Sequence, residues 1–276
     1  MSGLKNNTPV YKQFIELIRN GYNILDDKTK SEVKNFIIQS QNKDGGFINR
    51  TGNSDLYYSL FGFWIASALD LHEQLELIKK IITKKEKNKQ ITATDKLAFF
   101  AIRTGLLSKK ASLLKIFKVL IKKDFSVNYS YKIFLFIILT NPENLLSFLL
   151  KFLLRFYRLP DNSPCSSISA LVFVKYSLKL DVSVFQDNII NYYEEEKGFK
   201  AFKGIESADL LSTAVALFTL FTTEYDIRLI APTCLKLVQN NYLNGSFLSG
   251  NGDNIPDIEY TFYGLLILGI LSIKYK

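Results

Sequence analysis

The sequence predicts an all-α fold in which six helical hairpins form an α/α toroid, and two observations predict it. A motif recurs along the chain, and apolar segments alternate with amphipathic ones. Of the 276 residues, 47% are hydrophobic and 22% are charged, a composition that excludes disordered and collagen-like chains. We expect a single globular domain over residues 1–276, with a core large enough to need no disulfides.

Three segments share one motif, in which a phenylalanine one or two residues after a glycine is followed by an aspartate and then by a small residue. The aspartate comes 8, 10 and 10 residues after the phenylalanine, and the small residue comes seven residues after the aspartate. Residues at that second spacing lie on one helix face, so we expect a neighbouring backbone to approach the small residue closely. The three copies are Phe47, Asp55 and Gly62; Phe199, Asp209 and Ala216; and Phe247, Asp257 and Gly264.

Weaker copies of the motif fill the intervals between these three. Apolar helices are therefore predicted to begin near residues 55, 94, 129, 165, 209 and 257. Segments with apolar residues at i, i+3, i+4 and i+7 lie between them, at 30–41, 71–83, 111–122, 143–157, 184–194 and 227–240.

The two helix classes predict the architecture. Helices that are apolar all round must be buried on every side, whereas amphipathic helices must lie outside. The alternation therefore predicts an inner ring of helices within an outer ring. Asp, Ser and Thr at the inner starts are suitable N-caps, so all the inner helices would begin at one rim of a central cavity.

The chain has a formal net charge of +9, and most of its basic residues are lysines. Such a charge can attract nucleic acids, anionic membranes or phosphorylated ligands. Many of the lysines lie between residues 79 and 123, at spacings typical of the outer faces of helices. We favour a solvated surface, keep an anion-attracting role as the alternative, and predict no nucleic-acid partner.

Cysteine use and hydropathy predict a cytoplasmic protein. Cys165 and Cys234 are too few for a disulfide framework, so we expect both to be buried in a reducing compartment. The first residues lack the apolar stretch of a secretory signal. No apolar run reaches the roughly 18 residues that a membrane span needs.

Residues 41–47, QNKDGGF, resemble the QxxDGGF repeat signature of protein prenyltransferase beta subunits and class II terpene cyclases. Residues 55–64 and 257–263 resemble the two prenyltransferase segments that carry zinc ligands. Arg50 falls where that family has an arginine that binds diphosphate. The resemblance extends over most of the chain through its repeats, and it implies the six-hairpin α/α toroid known for the family.

The chain departs from the family at its chemical groups. Tyr57 stands in place of the zinc-binding cysteine and Tyr260 in place of the histidine. Neutral phenols are poor zinc ligands, so we predict no metal ion and no cofactor. The D-x-D-D motif of class II cyclases is absent from the sequence, and Asp26 with Asp27 is predicted to cap a helix. It therefore stays open whether the chain is an enzyme.

The resemblance implies a polyprenyl or similar apolar ligand in the central cavity. Arg50 and Tyr58 would hold an anionic head group such as a diphosphate. Asp55 and Asp257 would act as acid, base or helix cap. An aromatic wall suits isoprenoid chains and carbocations. The aromatic residues proposed to contact the ligand, besides Tyr58, are Tyr57, Trp64, Tyr260 and Tyr263.

Two alternatives remain at this point. The chain could be a non-catalytic toroid, a lipid-binding or protein-interaction scaffold in which the aspartates only cap helices. Segment 143–158 is a strongly apolar amphipathic helix with Lys151, Arg155 and Arg158 along one stripe. We expect it to be an outer-ring helix packed on 129–139, with a peripheral membrane contact as the alternative.

Overall fold

The computed structural model describes residues 9–85, 92–108, 113–120 and 151–274. Most of these residues are helical, which confirms the all-α class. The helices are α1 (Val10–Asn23), α2 (Asp27–Gln39), α3 (Leu56–Ala68), α4 (His72–Lys85), α5 (Ala93–Leu107), α6 (Leu113–Leu120), α7 (Cys165–Ser177), α8 (Ser183–Ile190), α9 (Leu210–Thr222), α10 (Ala231–Asn240) and α11 (Ile258–Lys274).

Three antiparallel hairpins complete the described elements. They are β1 (Phe47–Ile48) with β2 (Ser54–Asp55), β3 (Tyr193–Glu194) with β4 (Gly198–Phe199), and β5 (Tyr242–Leu243) with β6 (Ser246–Phe247). Over the described ranges, every helix is too short or too polar to cross a membrane.

The predicted starts of the apolar helices agree with the structure wherever it describes them. Helices α3, α5, α7, α9 and α11 begin within one residue of the predicted positions 55, 94, 165, 209 and 257. The start predicted near 129, and with it the segment 129–139, lies outside the described residues. Ten of the 13 residues of α3 and nine of the 13 residues of α9 are buried, in agreement with helices that are packed on most sides.

The amphipathic helices agree less closely with the prediction. Helices α2, α4, α6 and α10 overlap the predicted segments, with ends that differ by a few residues. The predicted helix 184–194 is too long, because α8 ends at Ile190 and the chain then enters β3. Of segment 143–157 only the last residues are described, and 151–155 are helical. Helix α1 is an addition that the sequence analysis does not predict.

Side-chain caps explain where several helices begin. Asp26 accepts a hydrogen bond from the Thr29 amide at 3.0 Å, which confirms its predicted capping role. Thr92 accepts one from the Asp95 amide at 3.1 Å at the start of α5. These oxygens pair with amides of the first turn, which have no acceptor within the helix.

The hairpins join amphipathic helices to the apolar helices that follow them. In two of them the amide of the motif phenylalanine donates to a hydroxyl of the next helix. Phe47 donates to Ser59 Oγ at 2.9 Å, and Phe199 donates to Thr213 Oγ1 at 3.1 Å. Both hydroxyls come four residues after the motif aspartate. In these two copies the motif therefore holds the hairpin against the first turn of its helix.

The small residue of the motif accommodates an aromatic ring. The ring of Phe47 occupies the space that a Cβ of Gly62 would need. The ring of Phe247 comes within 2.5 Å of the Cβ position of Gly264. The expected approach of a neighbouring backbone is therefore wrong, because the phenylalanine of the same motif fills that place.

In each copy of the motif, a glycine one or two residues before the phenylalanine packs on an amphipathic helix. Gly45 and Gly245 have φ values of 98° and 90°. A Cβ on either would collide with the backbone of the amphipathic helix against which its hairpin packs. The first and second hairpins each pack on the next amphipathic helix along the chain. The third hairpin instead packs on α2, the first of the predicted amphipathic helices. The contacts are Gly45 with Leu77 of α4, Gly198 with Leu237 of α10, and Gly245 with Glu32 of α2.

Helix α1 packs against both α3 and α11. Gly21 of α1 and Gly269 of α11 let the two backbones touch, because a Cβ on either would meet a carbonyl oxygen. The ring of Phe14 meets rings from α3, α9 and α11, so it packs in the core between these helices. Its partners are Trp64, Phe218 and Phe262, with ring centroids 5.2, 4.8 and 5.6 Å away.

Candidate functional site

The candidate site lies where α3 and α11 begin, at the contact between the first and last copies of the motif. It contains every polar site residue that the sequence predicts, together with two that it does not, Asp253 and Glu259. We call it the end-repeat site, and it consists of Arg50, Asp55, Tyr57, Tyr58, Asp253, Asp257, Glu259, Tyr260 and Tyr263.

Both predicted acid or base residues act as helix caps. Asp55 Oδ1 accepts hydrogen bonds from the amides of Tyr57 at 2.7 Å and Tyr58 at 3.2 Å. Asp257 Oδ1 accepts one from the Tyr260 amide at 2.9 Å. Each carboxylate therefore stabilises the positive end of an apolar helix. For these two aspartates, the hydrogen bonds agree with the predicted role as helix caps.

Arg50 joins the first hairpin to the segment before α11. Its Nε donates to Asp257 Oδ2 at 3.0 Å, and its Nη1 donates to Asp253 Oδ2. The guanidinium also lies over the ring of Tyr260, 5.7 Å from the ring centroid. One cation thus faces two carboxylates, and the surroundings of Arg50 are negative rather than positive.

Glu259 is the most perturbed carboxyl of the site. The Tyr57 hydroxyl donates to its Oε1 at 2.7 Å, and the Tyr263 hydroxyl lies 3.5 Å from the same oxygen. Only 9% of Glu259 is exposed. Burial, reinforced by the charge of Asp257, raises its pKa from 4.5 to about 7, although the Tyr57 hydrogen bond opposes the shift. Glu259 can therefore gain or lose a proton near neutral pH.

The pKa values of Asp257, Tyr58 and Tyr260 are also raised, whereas hydrogen bonds from the Ile255 amide and from Arg50 lower the pKa of Asp253. Burial raises the pKa of Asp257, and the bonds from the Tyr260 amide and Arg50 only partly offset this. Burial and Asp257 raise the pKa of Tyr58 to about 12, and burial and Glu259 do the same for Tyr260. Both phenols are therefore neutral hydrogen-bonding groups at physiological pH.

An aromatic cluster forms the floor of the site. Tyr57 stacks edge-on against Phe61 at 5.0 Å, and Phe61 contacts Tyr263 at 5.7 Å. The ring of Trp64 lies next to that of Phe61, and its centroid is 5.3 Å from the ring centroid of Phe262. Trp64 is almost completely buried. Trp64 and Tyr263 are thus core residues of the floor, whereas Tyr57, Tyr58 and Tyr260 are partly exposed around it.

The repeat offers a signal that could have found Glu259. Two residues after the motif aspartate, the three copies carry Tyr57, Leu211 and Glu259. Leucine is the expected residue for a buried helix, so a glutamate there is an exception. No comparable signal exists for Asp253, which lies in the irregular segment before α11.

The residues at the family's zinc positions do not fit a zinc ion. The Tyr57 hydroxyl is bonded to Glu259, Asp55 is bonded to backbone amides, and Tyr260 lies beneath Arg50. Zinc prefers thiolate, imidazole and carboxylate ligands in tetrahedral sets. Among the described residues, no group of three or more His, Cys, Asp or Glu side chains could hold a metal ion.

Comparison of the chain with protein-family models, curated proteins and solved structures finds no match. The resemblance to prenyltransferases and terpene cyclases therefore rests on the motifs of the sequence.

One further buried cation lies away from the end-repeat site. Only 1% of Lys175, in α7, is exposed, and its Nζ lies 4.0 Å from the ring centroid of Phe185. The ammonium has no hydrogen-bond partner among the described residues. Burial and the charge of Arg158 lower its pKa. The sequence analysis does not single it out, because a lysine in α7 gives no local signal of burial.

Proposed function

We propose that the chain is a single α/α toroid of six hairpins whose end-repeat site binds an uncharged apolar ligand of the isoprenoid class. The toroid is supported by a contact with an amphipathic helix that all three hairpins make. Side chains at equivalent positions bond to a neighbouring amphipathic helix: Gln41 to the Gln74 carbonyl at 3.1 Å, and Tyr193 to Thr233 at 2.9 Å. In the third hairpin Tyr242 donates to Glu32 of α2, as closure of a ring requires.

The observation that carries the ligand class is the aromatic rim. Tyr57, Tyr58 and Tyr260 are partly exposed around a buried aromatic floor, so the site offers apolar ring surface. Branched alkene chains bury well against such rings. The hydroxyls of the same tyrosines provide neutral hydrogen-bonding groups for one polar end.

The charges of the site favour an uncharged head group over a diphosphate. Arg50 is already paired with Asp253 and Asp257, each of which carries a negative charge when ionised. A diphosphate would have to break these ion pairs and then lie beside the carboxylates released, which is unfavourable. An alcohol needs neither change, and it can bond to Tyr58 or Glu259.

A non-catalytic scaffold is the second candidate, and a specific observation favours it. The carboxylates of Asp55 and Asp257 already accept hydrogen bonds from helix amides. They are therefore poorly placed to transfer protons to a ligand. In this case the end-repeat site joins the first and last repeats, and a protein partner binds the toroid elsewhere.

The single tryptophan provides the test. Trp64 lies in the floor of the site, so a ligand bound above it should change its fluorescence in a saturable way. We expect farnesol to do so, and farnesyl diphosphate to bind no more tightly than farnesol. Tyr58→Leu should weaken farnesol binding about tenfold, the loss of one ring contact and one hydrogen bond. The matched control is Tyr176→Leu, in α7, which should leave binding unchanged.

Three results would change the proposal. If neither compound binds, the isoprenoid proposal fails and the scaffold remains. If the diphosphate binds more tightly and Arg50→Ala abolishes the difference, an anionic head group is the ligand. If Tyr58→Leu and Tyr176→Leu weaken binding equally, the ligand lies outside the end-repeat site.

A further inference from the structure

The segment just before α7 displays large apolar side chains to solvent. Phe152, Leu153 and Phe156 are 69%, 67% and 77% exposed, whereas Leu154 between them is buried in the core. Residues 151–155 are helical, so Phe152 and Phe156 project from the side opposite Leu154. Leu154 anchors the segment, and its neighbours form an apolar patch. Single exposed apolar residues are ordinary, but three within five residues need an explanation.

Basic residues border this patch. Lys151, Arg155 and Arg158 lie in the same segment, and the guanidinium of Arg155 lies 5.8 Å from the ring centroid of Phe156. Residues 151–160 contain no acidic side chain. Apolar and cationic groups are thus combined on one short element of a chain whose net charge is +9.

We propose that residues 151–158 dock on the surface of an anionic lipid bilayer. Phe152, Leu153 and Phe156 would enter the boundary between head groups and acyl chains. Lys151, Arg155 and Arg158 would bind the lipid phosphates. Apolar burial and attraction to anionic lipids are the two terms that hold such segments at an interface. This inference uses no residue of the end-repeat site and is independent of the ligand proposed there.

Charge decides between a bilayer and a second copy of the chain. A symmetric contact between two copies would place two sets of three cations against each other, with no acidic residue of the segment to neutralise them. An anionic bilayer instead complements the same charges. The patch therefore fits a lipid surface better than its own copy.

Vesicle sedimentation tests the apolar part of the proposal. We expect the full chain to bind phosphatidylcholine vesicles that contain phosphatidylglycerol, and to bind pure phosphatidylcholine much more weakly. The double variant Phe152→Ser with Phe156→Ser should weaken binding at least about tenfold, because two rings no longer enter the interface. The matched control is Val184→Ser with Leu229→Ser, two residues that are 70% and 92% exposed outside this segment. It should bind as the wild type does.

A second pair of variants tests the charges. Arg155→Gln with Arg158→Gln should lower the affinity for anionic vesicles about 25-fold, roughly fivefold for each charge. High salt should have a similar effect. The control is Lys84→Gln with Lys236→Gln, which removes two exposed lysines of α4 and α10 and should have a far smaller effect.

Three outcomes would overturn the proposal. The first is no binding to anionic vesicles by wild-type protein that circular dichroism shows to be folded. The second is equal loss of binding in the patch variants and their controls. The third is a dimer in light scattering that the Phe152→Ser, Phe156→Ser variant converts to monomer, which would assign the patch to a second copy.

Discussion

Helices α9 and α11 begin with the same aspartate cap, yet the two caps have different partners. Asp209 Oδ1 accepts from the Ser212 amide at 2.6 Å, and its Oδ2 accepts from the hydroxyl of the same serine at 2.9 Å. Asp257 also accepts an amide, but its Oδ2 is bound by Arg50, 207 residues earlier in the chain. One cap is local, and the other links the two ends of the fold.

The first turns of α9 and α11 also differ in the residue that follows the cap. Two residues after the cap, α9 has Leu211 and α11 has Glu259, which accepts a hydrogen bond from Tyr57 of the first repeat. The shared motif therefore builds the helix start. Among the three copies of the motif that the structure describes, the ionisable site is present only where the first and last copies meet. Site chemistry here is a local addition to a repeated scaffold.

The largest expected effect is a dependence of the free energy of unfolding on pH, which comes from Glu259 of α11. The pKa of Glu259 is raised from 4.5 to about 7, so the folded chain binds its proton more tightly than the unfolded chain. The resulting stabilisation is complete below about pH 4.5 and is lost as the pH rises through 7. By linkage the loss is at most about 3 kcal/mol.

Glu259→Gln should therefore remove most of this pH dependence, as measured by urea unfolding between about pH 5 and pH 8. Glu73→Gln, at an exposed glutamate of α4, is the control, and it should leave the pH dependence unchanged. An equally steep fall in stability in wild type and Glu259→Gln would show that the glutamate titrates normally.

The second comparison uses the small residue of the motif. Gly264→Ala should lower the free energy of unfolding by about 2 kcal/mol, because its Cβ would press on the Phe247 ring. The second copy of the motif has Ala216 at the same position, and Ala216→Gly should cost only about 1 kcal/mol of helix propensity. Thermal and urea unfolding measure both. A neutral Gly264→Ala would mean that the ring can shift without cost.

The third comparison separates the two caps. Asparagine caps helices as well as aspartate does, so Asp209→Asn should change stability by less than about 0.5 kcal/mol. Asp257→Asn should cost about 1 kcal/mol, because Arg50 loses a charged acceptor while remaining partly exposed. A double-mutant cycle with Arg50→Gln should recover this difference as coupling energy. Equal costs for the two asparagine variants would reduce Asp257 to a local cap.

The smallest expected effect is that of Tyr57→Phe. It removes one hydrogen bond to Glu259 and should cost less than about 1 kcal/mol. That bond lowers the pKa of Glu259, so in the variant the fall in stability should continue to a higher pH. Tyr193→Phe removes a hydrogen bond to Thr233 and should leave the pH dependence unchanged. If the two variants have the same pH profile, Tyr57 does not influence Glu259.

Much of the fold could be predicted because its signals are local. Apolar periodicity and the cap residues predict where α3, α5, α7, α9 and α11 begin. The burial of Cys165 and Cys234 also agrees with the prediction. The short hairpins and α1 could not be predicted in this way. Two-residue strands carry no periodicity, and α1 owes its position to glycines that contact a distant helix.

The candidate site was predicted in part. Arg50, Asp55, Tyr57 and Asp257 do lie together, since the motif marks the repeats that carry them. The diphosphate-binding role that the resemblance implies for Arg50 remains a proposal, and the pairing of Arg50 with Asp253 and Asp257 opposes it. Toroid closure, the isoprenoid ligand and the choice between catalysis and scaffold remain proposals.

The sequence by itself determined the all-α class, the starts of α3, α5, α7, α9 and α11 and the aspartate caps, because each depends on residues within a turn or two. Only the tertiary structure decided that Arg50 is paired with Asp253 and Asp257, that Tyr57 bonds to Glu259, and that this glutamate titrates near neutral pH. These properties depend on burial and on contacts between residues about 200 positions apart, which no local pattern of the chain encodes.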